Sequence, residues 1–204
     1  MTYTWDTSRE AFAAAARWFV GTAALVGDRW SAPGLGEWDV RALVGHTSRS
    51  FLTVETYLER PAETAAIPSP AGYYRATSAL SAGPEVADRG RAAGAALGDD
   101  PAAAVAQIAE RVLPLVDAHD GTELLTTIAG GMRLSDYLPT RTFELTVHTA
   151  DLARALSLPV EPPVAAARQV MQLLTDLSID TGAVGQVLLA LTGRSGLPSG
   201  FSVL

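Results

Sequence analysis

Apolar side chains recur at helical spacing over most of the chain. In "DVRALVGHTSRSFLTVETYLER", Val40, Leu43, Val44, Phe51, Val54 and Leu58 fall on one face of a helix. Asp39 suits its N-cap, and Pro61 ends it. An earlier helix is expected from Ser8 to Val26, with Asp6, Thr7 and Ser8 as candidate caps. The Gly- and Pro-rich "GDRWSAPGLGEW" between the two reads as a loop. Residues 61–83, rich in Pro, Ser, Gly and Tyr, predict a long, partly ordered loop. "PEVADRGRAAGAAL" and "DPAAAVAQIAERVLPLVDAH" predict a helix broken at Gly98-Asp99-Asp100-Pro101, where Pro suits the first turn of a new helix. "DGTELLTTIAGGMR" predicts a short extended or turn segment, and Leu134 to Leu156 a long helix. "PPVAAARQVMQLLTDLSI" and the short "AVGQVLLALTG" complete the helices, and "LPSGFSVL" is a docked strand or coil. Long amphipathic helices with few strand signals predict an all-α protein: a four-helix bundle with additional short C-terminal helices.

Composition narrows this picture. A length of 204 residues suits a single domain over 1–204 with a sizeable core. The net charge is −7 and the basic residues are scattered, so no phosphate-binding face forms and nucleic acid is not an expected partner. The chain has no Cys, which excludes disulfides, thiolate zinc sites and cysteine nucleophiles. Any metal must therefore be held by His and carboxylate side chains. "MTYTWDTSRE" lacks the basic and apolar regions of a signal peptide. No apolar run approaches the roughly 18 residues of a membrane span. A soluble, cytoplasmic protein without membrane contact is expected.

One stretch departs from the amphipathic pattern. In "RTFELTVHTADLARAL", Glu144, His148 and Asp151 form one stripe at i, i+4 and i+7. Leu138, Leu145, Leu152 and Leu156 flank it on one side, and Phe143, Val147 and Ala150 on the other. A polar stripe between apolar flanks points inward and needs partners. Glu and His at i, i+4 lie about 5–6 Å apart on a helix surface and can reach one metal ion. A third ligand would come from a neighbouring helix. Of the three histidines, His46 is the natural candidate, with Ser50, Thr53 and Tyr57 on its side of the helix. Three protein ligands leave a position open for water, thiol or substrate. The plainer alternative is a Glu–His hydrogen-bond pair and a satisfied core histidine. His119, in "LVDAHDG", suits a helix end. Asp151 either orients a ligand histidine or pairs with Arg154 or Arg141. Tyr137 and Arg141 share the face of Glu144. Arg141 suits a carboxylate of a bound molecule or an i, i+3 pair with Glu144. "VGHTSRS", "GLGEW" and "AGGMR" lack the strand–turn–helix setting of nucleophile elbows or nucleotide-binding loops.

Two segments carry a family resemblance. "LGEWDVRALVGHTSRSFLTVETYL" holds W-D-V-R-x-L-x-x-H, and "RTFELTVHTADLARAL" holds E-x-x-x-H-x-x-D-L-A. Together they resemble the DinB/YfiT-like metalloproteins, and in particular the N-terminal domain of mycothiol-dependent maleylpyruvate isomerase. "LLALTGRSGLPSGFSVL" resembles the ending of related stand-alone proteins. The resemblance implies a DinB-like four-helix bundle and a divalent metal, usually zinc, held by His46, Glu144 and His148. It also implies a low-molecular-weight thiol such as mycothiol, presented by the metal to a small electrophilic substrate. All fifteen basic residues are Arg and Ala is abundant, a codon bias that suits an actinobacterial genome. The isomerase has a separate C-terminal domain, for which the residues after Leu156 leave no room, so a related thiol-using isomerase or transferase is expected rather than a named reaction. Tyr57, Tyr137 and Arg141 would contact substrate in such an enzyme, and Asp151 would stand behind the ligands or face the open position. A non-catalytic metal- or ligand-binding bundle is the alternative, and a homodimer stays open.

Overall fold

A reciprocal cap sets the first helix. In the computed structural model, which describes residues 3–81 and 85–204 (79–81 and 85 by backbone alone), the Thr4 hydroxyl accepts from the Thr7 backbone N–H at 3.3 Å. The Thr7 hydroxyl in turn accepts from the Thr4 N–H at 3.3 Å. Helix α1 therefore spans Trp5–Ala23 rather than the expected Ser8–Val26. Ser8, an expected cap, is instead buried and accepts from Gln169 Nε2 at 3.0 Å. The paired Thr4–Thr7 cap satisfies two otherwise free backbone donors reciprocally.

The following loop contains a 3-10 turn, Arg29–Ser31, and a minimal antiparallel pair, β1 (Pro33–Leu35) and β2 (Trp38–Asp39). Asp39 caps α2 (Val40–Leu58) by accepting from the Ala42 N–H at 2.7 Å. Part of the expected loop at 61–83 is helical, since α3 spans Pro70–Ser81. Its Pro, Ser and Gly residues begin a helix instead of breaking one. Ser69 accepts from the Gly72 N–H at 3.1 Å, and Pro70 takes the first helical position, where no N–H is needed. Residues 82 and 83 of that expected loop, and Pro84 of the next expected helix, lie outside the described residues.

The broken helix forms as α4 (Glu85–Ala96) and α5 (Pro101–Asp117). Gly98, at φ +71°, makes the break, and Asp100 caps α5 through the Ala103 N–H at 3.0 Å. The extended segment is a hairpin, β3 (Leu124–Thr127) and β4 (Gly130–Arg133), with Leu125 opposite Met132. It leads into α6 (Leu134–Ala155), α7 (Val164–Asp180) and α8 (Val184–Leu191). The tail is coil, docked by Val203, which joins the small apolar cluster that holds Leu173 and Leu177.

Helices α1, α2, α5 and α6 form the bundle, with α1 and α2 each touching both α5 and α6. Phe12, Phe19 and Phe51 fill its centre, the Phe12 and Phe51 rings meeting edge-on at 5.9 Å. Helix α7 packs on α1 and α6, α3 on α6 and α7, and α8 on α7. This is the all-α bundle with added helices that the periodicity predicts. Helix α4 lies against α2 at very short range. A Cβ on Gly45 would stand 2.1 Å from the Gly94 backbone nitrogen, so only glycine fits there. Likewise a Cβ on Gly90 would meet the Trp38 ring at 2.5 Å. Among the described residues, no helix is long and apolar enough to cross a membrane.

Candidate metal centre and its cavity

Helix α6 supplies the polar stripe because its other buried polar groups are already satisfied. The Thr142, Thr146 and Thr149 hydroxyls each donate back to the carbonyl four residues earlier. Leu145 and Leu152 on one side and Phe143 on the other are buried, so the stripe between them faces into the protein. There Glu144 and His148 meet His46 of α2. The three residues each offer a ligand atom, and these atoms all lie within 4.8 Å of one another. The two imidazole rings stand nearly perpendicular, 5.0 Å apart.

Each ligand candidate is held from behind. His148 Nδ1 lies 3.2 Å from Asp151 Oδ2, which turns Nε2 toward Glu144 Oε2 at 3.3 Å. The other Glu144 oxygen accepts from the Tyr74 hydroxyl at 2.7 Å. The Trp38 ring lies 4.5 Å from the His46 ring, and Trp38 Nε1 donates to the Ala87 carbonyl at 3.1 Å. His46 Nδ1 is buried and has no hydrogen-bond partner. Two imidazoles and a carboxylate within reach of one another form a donor set that fits a zinc-like divalent cation.

The charge states follow from these contacts. Burial, reinforced by nearby His148, pushes His46 down to about 4, so it is neutral at pH 7. Burial opposes the charge on His148, but its hydrogen bonds to Asp151 and Glu144 prevail and raise it to about 9. Burial likewise opposes ionisation of Glu144, yet the bond from His148 and the Arg141 charge hold it down near 2. Without a metal, an imidazolium thus sits between two carboxylates.

The three residues line a cavity of about 610 Å³. Arg49, Thr53, Tyr57, Tyr73, Tyr74 and Arg141 form much of its remaining wall. A second cavity, of about 430 Å³, is bordered by Tyr3, Arg75, Asp176 and Asp180. Those four already pair with one another, Tyr3 with Asp176 and Arg75 with Asp180.

Residues 8–153 match the family described as the mycothiol maleylpyruvate isomerase N-terminal domain. The chain belongs to that family. The matched segment holds both halves of the cluster, His46 on α2 and the Glu144–His148 pair on α6. No curated protein and no solved structure shows a significant match to the chain.

In this member of the mycothiol maleylpyruvate isomerase N-terminal domain family, the residues singled out from sequence fall into three positions. His46, Glu144 and His148 converge, and Tyr57 and Arg141 line the same cavity. Arg141 is 8% exposed and makes no ion pair with Glu144 among the described residues; its guanidinium lies over the rings of Tyr137 (5.0 Å) and Tyr73 (5.3 Å), and Nε donates to the Thr140 hydroxyl. Asp151 bonds to His148 rather than to Arg154 or Arg141. Tyr137 is placed differently from the expectation of substrate contact. It is fully buried behind the cavity wall, beneath Arg141, and its hydroxyl donates to Thr53 at 2.9 Å. His119 is a helix-end group, its Nδ1–H donating to the Leu115 carbonyl at 2.7 Å. Sequence reasoning missed Trp38, Arg49, Tyr73 and Tyr74. Trp38 opens the same quoted motif as His46, and an aromatic residue eight positions before the candidate ligand histidine was the available signal. Tyr73 and Tyr74 lay hidden in the stretch read as loop.

Proposed function

We propose that this protein is a divalent-metal-dependent enzyme that uses a low-molecular-weight thiol of the mycothiol type to isomerise a small electrophile or to transfer the thiol to it. The reading rests on one observation: His46, Glu144 and His148 converge at the wall of a cavity of about 610 Å³, the size of a small-molecule site. These three residues would hold the ion, most simply zinc. When bound, the ion supplies Lewis acidity that favours the thiolate form of a thiol at neutral pH.

The chain's own residues do the rest. Asp151 keeps a proton on His148 Nδ1, which leaves Nε2 for the ligand set. Arg141, stacked on two tyrosine rings and unpaired with any carboxylate among the described residues, offers its terminal N–H groups to an anionic group of thiol or substrate. Tyr57 borders the same space, and Tyr137 acts from behind, through Arg141 and Thr53.

The test is elemental analysis of purified wild-type protein beside His148→Ala, followed by a thiol-transfer assay with mycothiol and an electrophile. About one zinc per wild-type chain, none in the variant, and thiol-dependent turnover are expected. A wild-type protein that takes up no metal overturns the reading. Metal uptake without thiol-dependent turnover instead assigns the protein to the non-catalytic metal-binding alternative.

A further inference from the structure

Tyr74 belongs to α3, an element packed against α6 from outside the four-helix bundle. Its ring is held between Tyr73, edge-on at 5.6 Å, and Phe143, at 5.3 Å. These contacts fix where its hydroxyl points. The oxygen lies 2.7 Å from Glu144 Oε1 and 3.3 Å from the Thr140 carbonyl. A phenol has one proton to donate, and the shorter, charge-assisted bond to the carboxylate takes it. Oε1 is thereby engaged. Oε2 is left as the oxygen that faces the histidines, 3.3 Å from His148 Nε2.

We propose that Tyr74 is a positioning residue for the metal: its hydroxyl ties down one oxygen of Glu144 so that only the other joins His46 and His148. The inference rests on the metal reading given above. The terminal torsion of a glutamate is soft, with broad, roughly two-fold minima. On α6 itself His148 touches only Oε2, and Arg141 makes no ion pair with Glu144 among the described residues, so Oε1 gets no restraint from its own helix. Restraint has to come from another element, and α3 brings it. A carboxylate limited to one oxygen keeps the protein donors at three, which preserves an open position on the cavity side. Partners of this kind typically contribute 10- to 100-fold to metal affinity or activity.

The experiment compares wild type, Tyr74→Phe and Phe143→Leu in the full chain. Zn²⁺ affinity is measured by competition with a chromogenic chelator, and the visible absorption of the Co²⁺-loaded protein reports coordination. Helicity and thermal midpoint of the metal-free proteins report the fold. Tyr74→Phe keeps both ring contacts and removes only the hydroxyl. It should weaken Zn²⁺ binding about 10- to 100-fold and change the intensity of the Co²⁺ bands, with helicity unchanged. Phe143→Leu removes one of the two rings beside Tyr74 but keeps the hydroxyl and the Tyr73 contact, and should weaken affinity less than Tyr74→Phe does. A Tyr74→Phe protein with wild-type affinity and Co²⁺ spectrum overturns the proposal, as does a Phe143→Leu protein weakened equally. If the wild type itself takes up no metal, the metal reading falls, and this inference with it.

Discussion

Zinc uptake at pH 7.5 should release close to one proton per ion. In the metal-free protein the Glu144 carboxyl is held near 2 and the His46 ring is pushed down to about 4, so neither carries a proton at that pH. His148 is raised to about 9 by its bonds to Asp151 and Glu144, against the effect of burial. Its Nε2 proton is therefore present and has to leave before that nitrogen can act as a ligand. Apparent affinity should rise about tenfold per pH unit between roughly 6.5 and 8.5, because each unit is worth about 1.4 kcal/mol, and level off near 9. The same pairing stabilises the metal-free fold by on the order of 3 kcal/mol at most, counted once because the Glu144 and His148 shifts report one interaction. A histidine whose folded value lies above its ordinary 6.5 contributes fully below about 6.5, and that contribution is lost as the pH climbs through about 9. For Glu144 the direction is opposite: its share is present above about 4.5 and disappears as acid takes the pH down toward 2. Titration calorimetry in buffers of different ionisation enthalpy counts the protons, and urea unfolding with excess chelator at pH 6.5 and 9.5 reads the stability. Asp151→Asn should reduce the release, since that bond contributes most to raising His148. Zinc binding with no proton release and an affinity flat from pH 6.5 to 8.5 would show that His148 is neutral in the metal-free protein.

Other substitutions test the remaining parts. His46→Ala combined with His148→Ala should abolish metal uptake while circular dichroism shows the helical content intact, because neither side chain belongs to the apolar core. Arg141→Lys should lower thiol-dependent activity by tenfold or more, on the order expected when the planar guanidinium that stacks on Tyr73 and Tyr137 is replaced by a point charge. Unchanged kinetics in that variant would assign Arg141 to structure. Gly45→Ala should destabilise the protein by about 1–3 kcal/mol or more in urea unfolding, since its methyl would meet the α4 backbone. A wild-type midpoint there would mean that α4 is free to move aside.

What the sequence made legible were relations within one helix. Apolar spacing located α2 and α6, and the i, i+4 rule placed Glu144 beside His148 on an inward stripe. Even the break between α4 and α5 was readable, since Gly98 and Pro101 have fixed conformational preferences. Relations between elements were not readable from the residues alone. The Tyr74–Glu144 bond joins positions 70 residues apart, and nothing local to either predicts it. Helix α3 was hidden because Ser69, Pro70 and Gly72 favour both turns and helix starts, and their order decides between the two. Arg141 was ambiguous for a similar reason. Its local alternative, a pair with Glu144, lost to stacking on Tyr73, which arrives from α3.

His46 shows how far from the reacting groups the determinants of the site extend. Its ring packs against Trp38, which in turn crowds Gly90 of α4 and donates to the Ala87 carbonyl of the same helix. Helix α4 reaches that position because Gly45 and Gly94 let two backbones meet at a distance no other residue permits. Three glycines on two helices thus hold the indole that holds the imidazole. The imidazole so held has a buried nitrogen without a partner, a cost of about 1–3 kcal/mol that any side chain free to turn would avoid. The packing denies it that freedom. A fold that fixes one histidine at such a cost, and fixes a second between two carboxylates, has arranged its polar groups for something between them. On the metal reading, a divalent cation between α2 and α6 would take a neutral nitrogen of His46 and replace the shared proton of His148.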